Sequence, residues 1–139
     1  MTTPRTKKSP LEPATFARLD ALRTQLLRLH KTLLDEERAA YEKVNGPIAT
    51  TGQVFNLVMS DPWFNWLHRF SKLIIKIDML QENPEGKEED VSELFSEARD
   101  LILAKDPDTE FSKAYRAVLQ RSSAAVASHA EALKAIRDD

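Results

Sequence analysis

A histidine and a glutamate lie on the apolar stripe of the first long amphipathic segment, where leucine would be expected. Between residues 16 and 44, apolar side chains recur at helical spacing, and His30 and Glu37 fall within the same stripe at about 100° per residue. A charge directed toward a protein core needs a partner or loses its ionisation. These two residues are therefore the first candidates for chemistry.

Two more ionisable residues are expected near the same level. Asp78 lies at the edge of the apolar face of the third helical segment, and His129 lies within the apolar face of the last one. Imidazoles and carboxylates that converge inside a helical bundle can hold a transition metal. Together with His30 and Glu37, they form a candidate metal or ligand site. No helix, however, carries the Glu-x-x-His or His-x-x-x-His spacing typical of such centres.

The alternative, which we favour, is a structural polar layer that needs no cofactor. In this interpretation His30 donates a hydrogen bond to Asp78, and Glu37 accepts one from Tyr115 or from an arginine, which fixes helix register. Acid–base chemistry by His30 and Asp78 would lack a nucleophile and an oxyanion-binding element. No catalytic residue is assigned.

An aromatic cluster follows Asp61-Pro62 and is a candidate interaction surface. Trp63, Phe64 and Trp66 could form a ligand pocket or the anchor of a protein interface. The alternative is that both tryptophans pack the end of a bundle. Phe64 lies away from the main apolar stripe of an α-helix, so it is expected to meet the second helix or another chain.

Composition excludes several classes of function. The chain has 139 residues, a formal net charge of −2 and no cysteine. Disulfides and cysteine zinc sites are therefore absent, and neither nucleic acid nor membrane is an expected partner. The basic stripe of Asn65, Arg69, Lys72 and Lys76 is interpreted as a solvated face. We expect a cytoplasmic protein.

Helix start and stop signals divide the chain into four long helices and one short one. Asn45-Gly46-Pro47 ends the first, while Asp61-Pro62 and Asp106-Pro107 each start another. The predicted helices cover residues 13–44, 52–59, 61–82, 90–104 and 106–136. The expected fold is all-α: an antiparallel up-down four-helix bundle (residues 13–139) with one short additional helix between the first and second long helices. Residues 1–12 are expected to be a disordered basic tail.

Several short strings between residues 19 and 80 resemble a family of small bacterial helical proteins of unknown function. The resemblance rests on the strings Leu29-His30-Lys31, Glu36-Glu37-Arg38, Tyr41-Glu42, Gly46-Pro47-Ile48, Asp61-Pro62-Trp63-Phe64 and Trp66-Leu67, and on the stretch from Ser71 to Asp78. It implies a bacterial origin and an all-helical fold. It assigns no site residue.

The functional expectation is a non-enzymatic helical interaction module with a protein partner, or one that self-associates through the region of the second and third helices. The alternative is a bundle that binds a metal or small ligand through the inward His/Glu/Asp cluster.

Overall fold

The structure, a computed structural model, describes residues 11–137, and these residues are predominantly helical. The elements are α1 (Pro13–Asn45), α2 (Thr51–Ser60), a 3-10 helix (Pro62–Leu67), α3 (His68–Glu82), α4 (Glu88–Leu103), α5 (Glu110–Arg121) and α6 (Ser123–Arg137). No β-strand forms within this range, so the all-α prediction is confirmed. The predicted tail lies outside the described residues except for its last two, of which Leu11 is buried in the core.

The long helix α1 is the central element, and α3 and α6 both pack along it. Arg23 of α1 pairs with Asp78 of α3, whereas His30, two turns further on, contacts Ser71, two turns earlier. The two helices are therefore antiparallel. Helix α4 packs against α3 and α6.

Leucines at spacings of three and four residues give α1 its buried face. Five of them have no exposed surface: Leu19, Leu22, Leu26, Leu29 and Leu33. Burial of each contributes about 1.5–3 kcal/mol before chain entropy is subtracted. Phe70, Phe95 and Tyr115 face them from α3, α4 and α5 and are also fully buried.

The sequence places Phe64 away from the main apolar stripe of an α-helix, whereas the structure buries it in the core, because the segment after Asp61 is a 3-10 helix. A 3-10 helix has 3.0 residues per turn, so side chains three apart lie above one another. Phe64 and Leu67 consequently share the buried side, with Phe64 only 1% exposed. Trp63 and Trp66 share a different, half-exposed side.

The helix predicted over residues 106–136 is two helices, broken at Ser122. This residue has an extended backbone, with φ −134° and ψ 115°. Its hydroxyl accepts a 3.0 Å hydrogen bond from the backbone N–H of Ala125 and so caps α6. The break changes the phase of the buried face, so Ala125 is fully buried while Val126 is 47% exposed.

Between residues 11 and 137, no helix has both the length and the apolar character that crossing a bilayer requires.

Candidate functional site

An open groove of about 610 Å³ lies between the C-terminal half of α1, the 3-10 helix, the start of α3, and α5. It combines aromatic and charged side chains, which is typical of binding sites. The residues that characterise it are Glu37, Trp63, Trp66, Arg69, Phe111 and Arg121.

Glu37 is the most constrained charge in the groove. The residue is 8% exposed, and each of its carboxylate oxygens accepts one hydrogen bond. The indole Nε1 of Trp66 donates to one oxygen at 2.7 Å, and Nη2 of Arg121 donates to the other at 2.8 Å. Of the two partners expected for Glu37, Tyr115 or an arginine, the structure shows the arginine. The two hydrogen bonds of Glu37 join α1 to the 3-10 helix and to the end of α5.

Trp66 connects the groove to the interior. Its ring stacks on Tyr115, with centroids 6.1 Å apart and planes inclined by 29°. The phenol of Tyr115 shares a 2.7 Å hydrogen bond with Nδ1 of His129. Burial raises the pKa of the Tyr115 phenol and lowers that of the His129 imidazole, so both groups are neutral near pH 7. This arrangement fixes the floor of the groove.

Arg69 borders the groove without a polar partner. Its guanidinium lies 4.5 Å from the ring centroid of Phe111, a cation–π contact. Within the described part of the chain it makes no hydrogen bond or ion pair. Its N–H groups thus remain available to a ligand.

The structure separates the four residues of the candidate metal site. His30 contacts the Ser71 hydroxyl at 3.3 Å, whereas Asp78 pairs with Arg23, so the expected hydrogen bond between His30 and Asp78 is not formed. His129 reaches Glu37 only through Tyr115 and Trp66. Among the residues described, no three His, Cys, Asp or Glu side chains are arranged to hold a metal ion. The reason is register: Asp78 lies two helical turns from the level of His30.

No protein-family model matches the chain, and no curated protein or solved structure is significantly similar to it. The resemblance to small bacterial helical proteins therefore stays a prediction.

The groove unites residues that the sequence placed in two separate groups. Glu37 belonged to the inward polar set, and the two tryptophans to the aromatic cluster. Sequence reasoning missed Arg121, and it treated Arg69 as part of a solvated stripe. A signal for the first exists: Glu110, Ala114 and Arg121 recur at positions i, i+4 and i+11 and lie on one helix face.

A second surface lies on α2, within the longest run of uncharged residues in the sequence. Residues 44–60 contain no Asp, Glu, Lys or Arg, although 30% of the chain is charged. Helix α2 buries none of its residues fully, and it exposes Phe55 (63%) and Met59 (59%), one turn apart. The helix is nonetheless well anchored. Thr50 and Gln53 form a capping box, and Nε2 of His68 contacts the carbonyl oxygen of Val58 at 2.8 Å.

Proposed function

We propose that the protein is a non-enzymatic, cytoplasmic interaction module that self-associates through the outward face of α2. The observation that carries the proposal is the exposed pair Phe55 and Met59 on a helix without a charged residue. Water-exposed apolar side chains of this size gain free energy when another apolar surface covers them.

Charge favours a second copy as the partner. A two-fold interface brings the same patch of both subunits together. A charge on that patch would therefore lie close to the identical charge of the other subunit and be repelled by it. Residues 44–60 carry none. The same neutrality disfavours an anionic membrane surface, because helices that bind there present Lys or Arg beside the apolar face.

The proposed scaffold is the up-down bundle predicted from the sequence. The segment from Pro62 to Glu82, together with α1, α4 and the α5–α6 pair, supplies its long members, and α2 is the additional helix. The antiparallel contacts of α1 with α3 support this interpretation.

Sedimentation velocity over a dilution series from millimolar to micromolar tests the proposal. The wild-type chain should show a concentration-dependent dimer, and the double variant Phe55→Ser/Met59→Ser should remain monomeric. The matched control is Ile75→Ser/Met79→Ser, which alters an equally exposed pair of apolar residues at the same spacing on α3 (55% and 66% exposed). It should dimerise like wild type.

A wild-type chain that is monomeric throughout would contradict the proposal. So would a loss of dimer in the α3 control with none in the α2 variant.

A further inference from the structure

We propose that the groove beside Trp66 binds a zwitterionic ligand with an aromatic or apolar body, such as a free aromatic amino acid. The inference rests on the pairing of charges in the groove and does not depend on self-association.

The groove contains two arginines and two glutamates, and one arginine is already paired with one glutamate. Glu37 accepts hydrogen bonds through both oxygens and pairs with Arg121. Because these two groups neutralise each other, neither is expected to select a ligand by net charge.

Arg69 and Glu110 remain, and no ion pair joins them or links them to any other residue of the described range. Arg69 lies over the ring of Phe111, the residue next to Glu110 in sequence. Stacking on an aromatic face leaves the edge of a guanidinium free for two parallel hydrogen bonds to a carboxylate. The Glu110 carboxylate is exposed and is available to accept from an ammonium group.

A ligand with a carboxylate and an ammonium group offers an opposite charge to each residue of this pair. An α-amino acid has its carboxylate and its ammonium group on one carbon, and its side chain extends away from both. Trp63 and Trp66 supply half-exposed aromatic surface for that side chain. The groove volume of about 610 Å³ lies within the range of small-molecule sites.

Tryptophan fluorescence provides a direct readout, because both tryptophans of the chain line the groove. The probes are L-phenylalanine, N-acetyl-L-phenylalanine and L-phenylalanine amide, which are not tryptophan derivatives. The two derivatives each lack one charge. L-phenylalanine should change the emission in a saturable way, and each derivative should bind at least about tenfold more weakly, the typical value of a charged hydrogen bond.

Substitutions in the groove test which residue binds the carboxylate and which binds the ammonium group of the ligand. Arg69→Gln and Glu110→Gln should each weaken L-phenylalanine binding about tenfold or more. Lys72→Gln and Asp108→Asn are the controls, since both side chains are exposed and neither lines the groove. They should bind as wild type does. Circular dichroism confirms the fold of every variant.

Three results would each overturn the inference: no saturable change with L-phenylalanine, binding of the N-acetyl derivative as tight as that of the free amino acid, or unchanged affinity in Arg69→Gln. A result in which only the N-acetyl derivative loses affinity would equally contradict it, because the ligand class would then be a simple amine.

Discussion

The carboxylate of Glu37 accepts a 2.7 Å hydrogen bond from the indole nitrogen of Trp66, so a residue of α1 sets the orientation of the groove floor. The same carboxylate holds Arg121 at the end of α5. One buried side chain thereby links three elements that are distant in sequence.

Replacing Glu37 by glutamine should lower the free energy of unfolding by about 1–3 kcal/mol, because Arg121 loses its charged partner and one acceptor disappears. The matched control is Glu36→Gln, whose carboxylate has no hydrogen bond or ion pair within residues 11–137. Urea denaturation measures both. Equal stability of the two variants would mean that the pair contributes nothing.

Removing the cap of α6 should also be measurable. In Ser122→Ala the backbone N–H of Ala125 loses its buried acceptor, and the expected cost is about 1 kcal/mol. Ser123→Ala changes the next, exposed residue and should stay within about 0.5 kcal/mol of wild type. If α5 and α6 instead form one continuous helix in solution, the Ser122 variant will be more stable than wild type in chemical denaturation.

Alanine substitution at Gly46, directly after α1, and at Gly52, in the first turn of α2, should change stability in opposite directions. Gly46 has φ +89° and ψ 168°, a conformation that only glycine adopts easily, so Gly46→Ala should destabilise by about 1–3 kcal/mol. Gly52 lies inside α2 with room for a methyl group, so Gly52→Ala should stabilise by about 0.5–1 kcal/mol. Thermal unfolding of both variants tests this prediction. A change of the same sign in both would contradict the backbone conformation of one of the two glycines.

Stability should fall in mildly acidic solution. Burial, and secondarily the charge of His68, lowers the pKa of His30, and burial lowers that of His129. The unfolded chain, whose histidines titrate near pH 6.5, therefore binds protons before the folded state does. The stabilisation is fully present above pH 6.5 and is lost as the pH falls from there toward the lower folded-state values.

The double variant His30→Gln/His129→Gln isolates this effect. Its free energy of unfolding should decline less steeply than that of wild type between about pH 7 and pH 5. Identical slopes would show that neither imidazole is protected from protonation in the folded state.

Hydrophobic periodicity predicted the helices well. It predicted poorly where their polar side chains lie along the bundle axis relative to one another. The stripe that includes Leu19 and Leu33 is buried as expected, since an α-helix repeats regularly over its whole length. His30 and Asp78 were placed opposite each other by counting residues from the helix ends. A 3-10 segment rises about 2.0 Å per residue instead of 1.5 Å, so its six residues account for about 3 Å of the two-turn displacement of Asp78.

The candidate site was predictable only in pieces. Glu37 and Trp66 were each identified as unusual, but their contact depends on the angle at which the 3-10 helix crosses α1. Arg69 resembled any exposed basic residue, because sequence does not reveal that Phe111 of a different helix lies beneath it. The break at Ser122 was hidden by a polar residue that fits either a helix interior or a cap.

The distance between spin labels on two copies of the chain tests the central claim, self-association through α2, most directly. The chain has no cysteine, so Ser60→Cys on α2 and Ser96→Cys on α4 each introduce one labelling site at an exposed position. Pulsed EPR should give an intermolecular distance that is shorter for the Ser60 label than for the Ser96 label and that disappears when Phe55→Ser/Met59→Ser is added. No intermolecular coupling from either label, or a shorter distance for Ser96, would contradict the account.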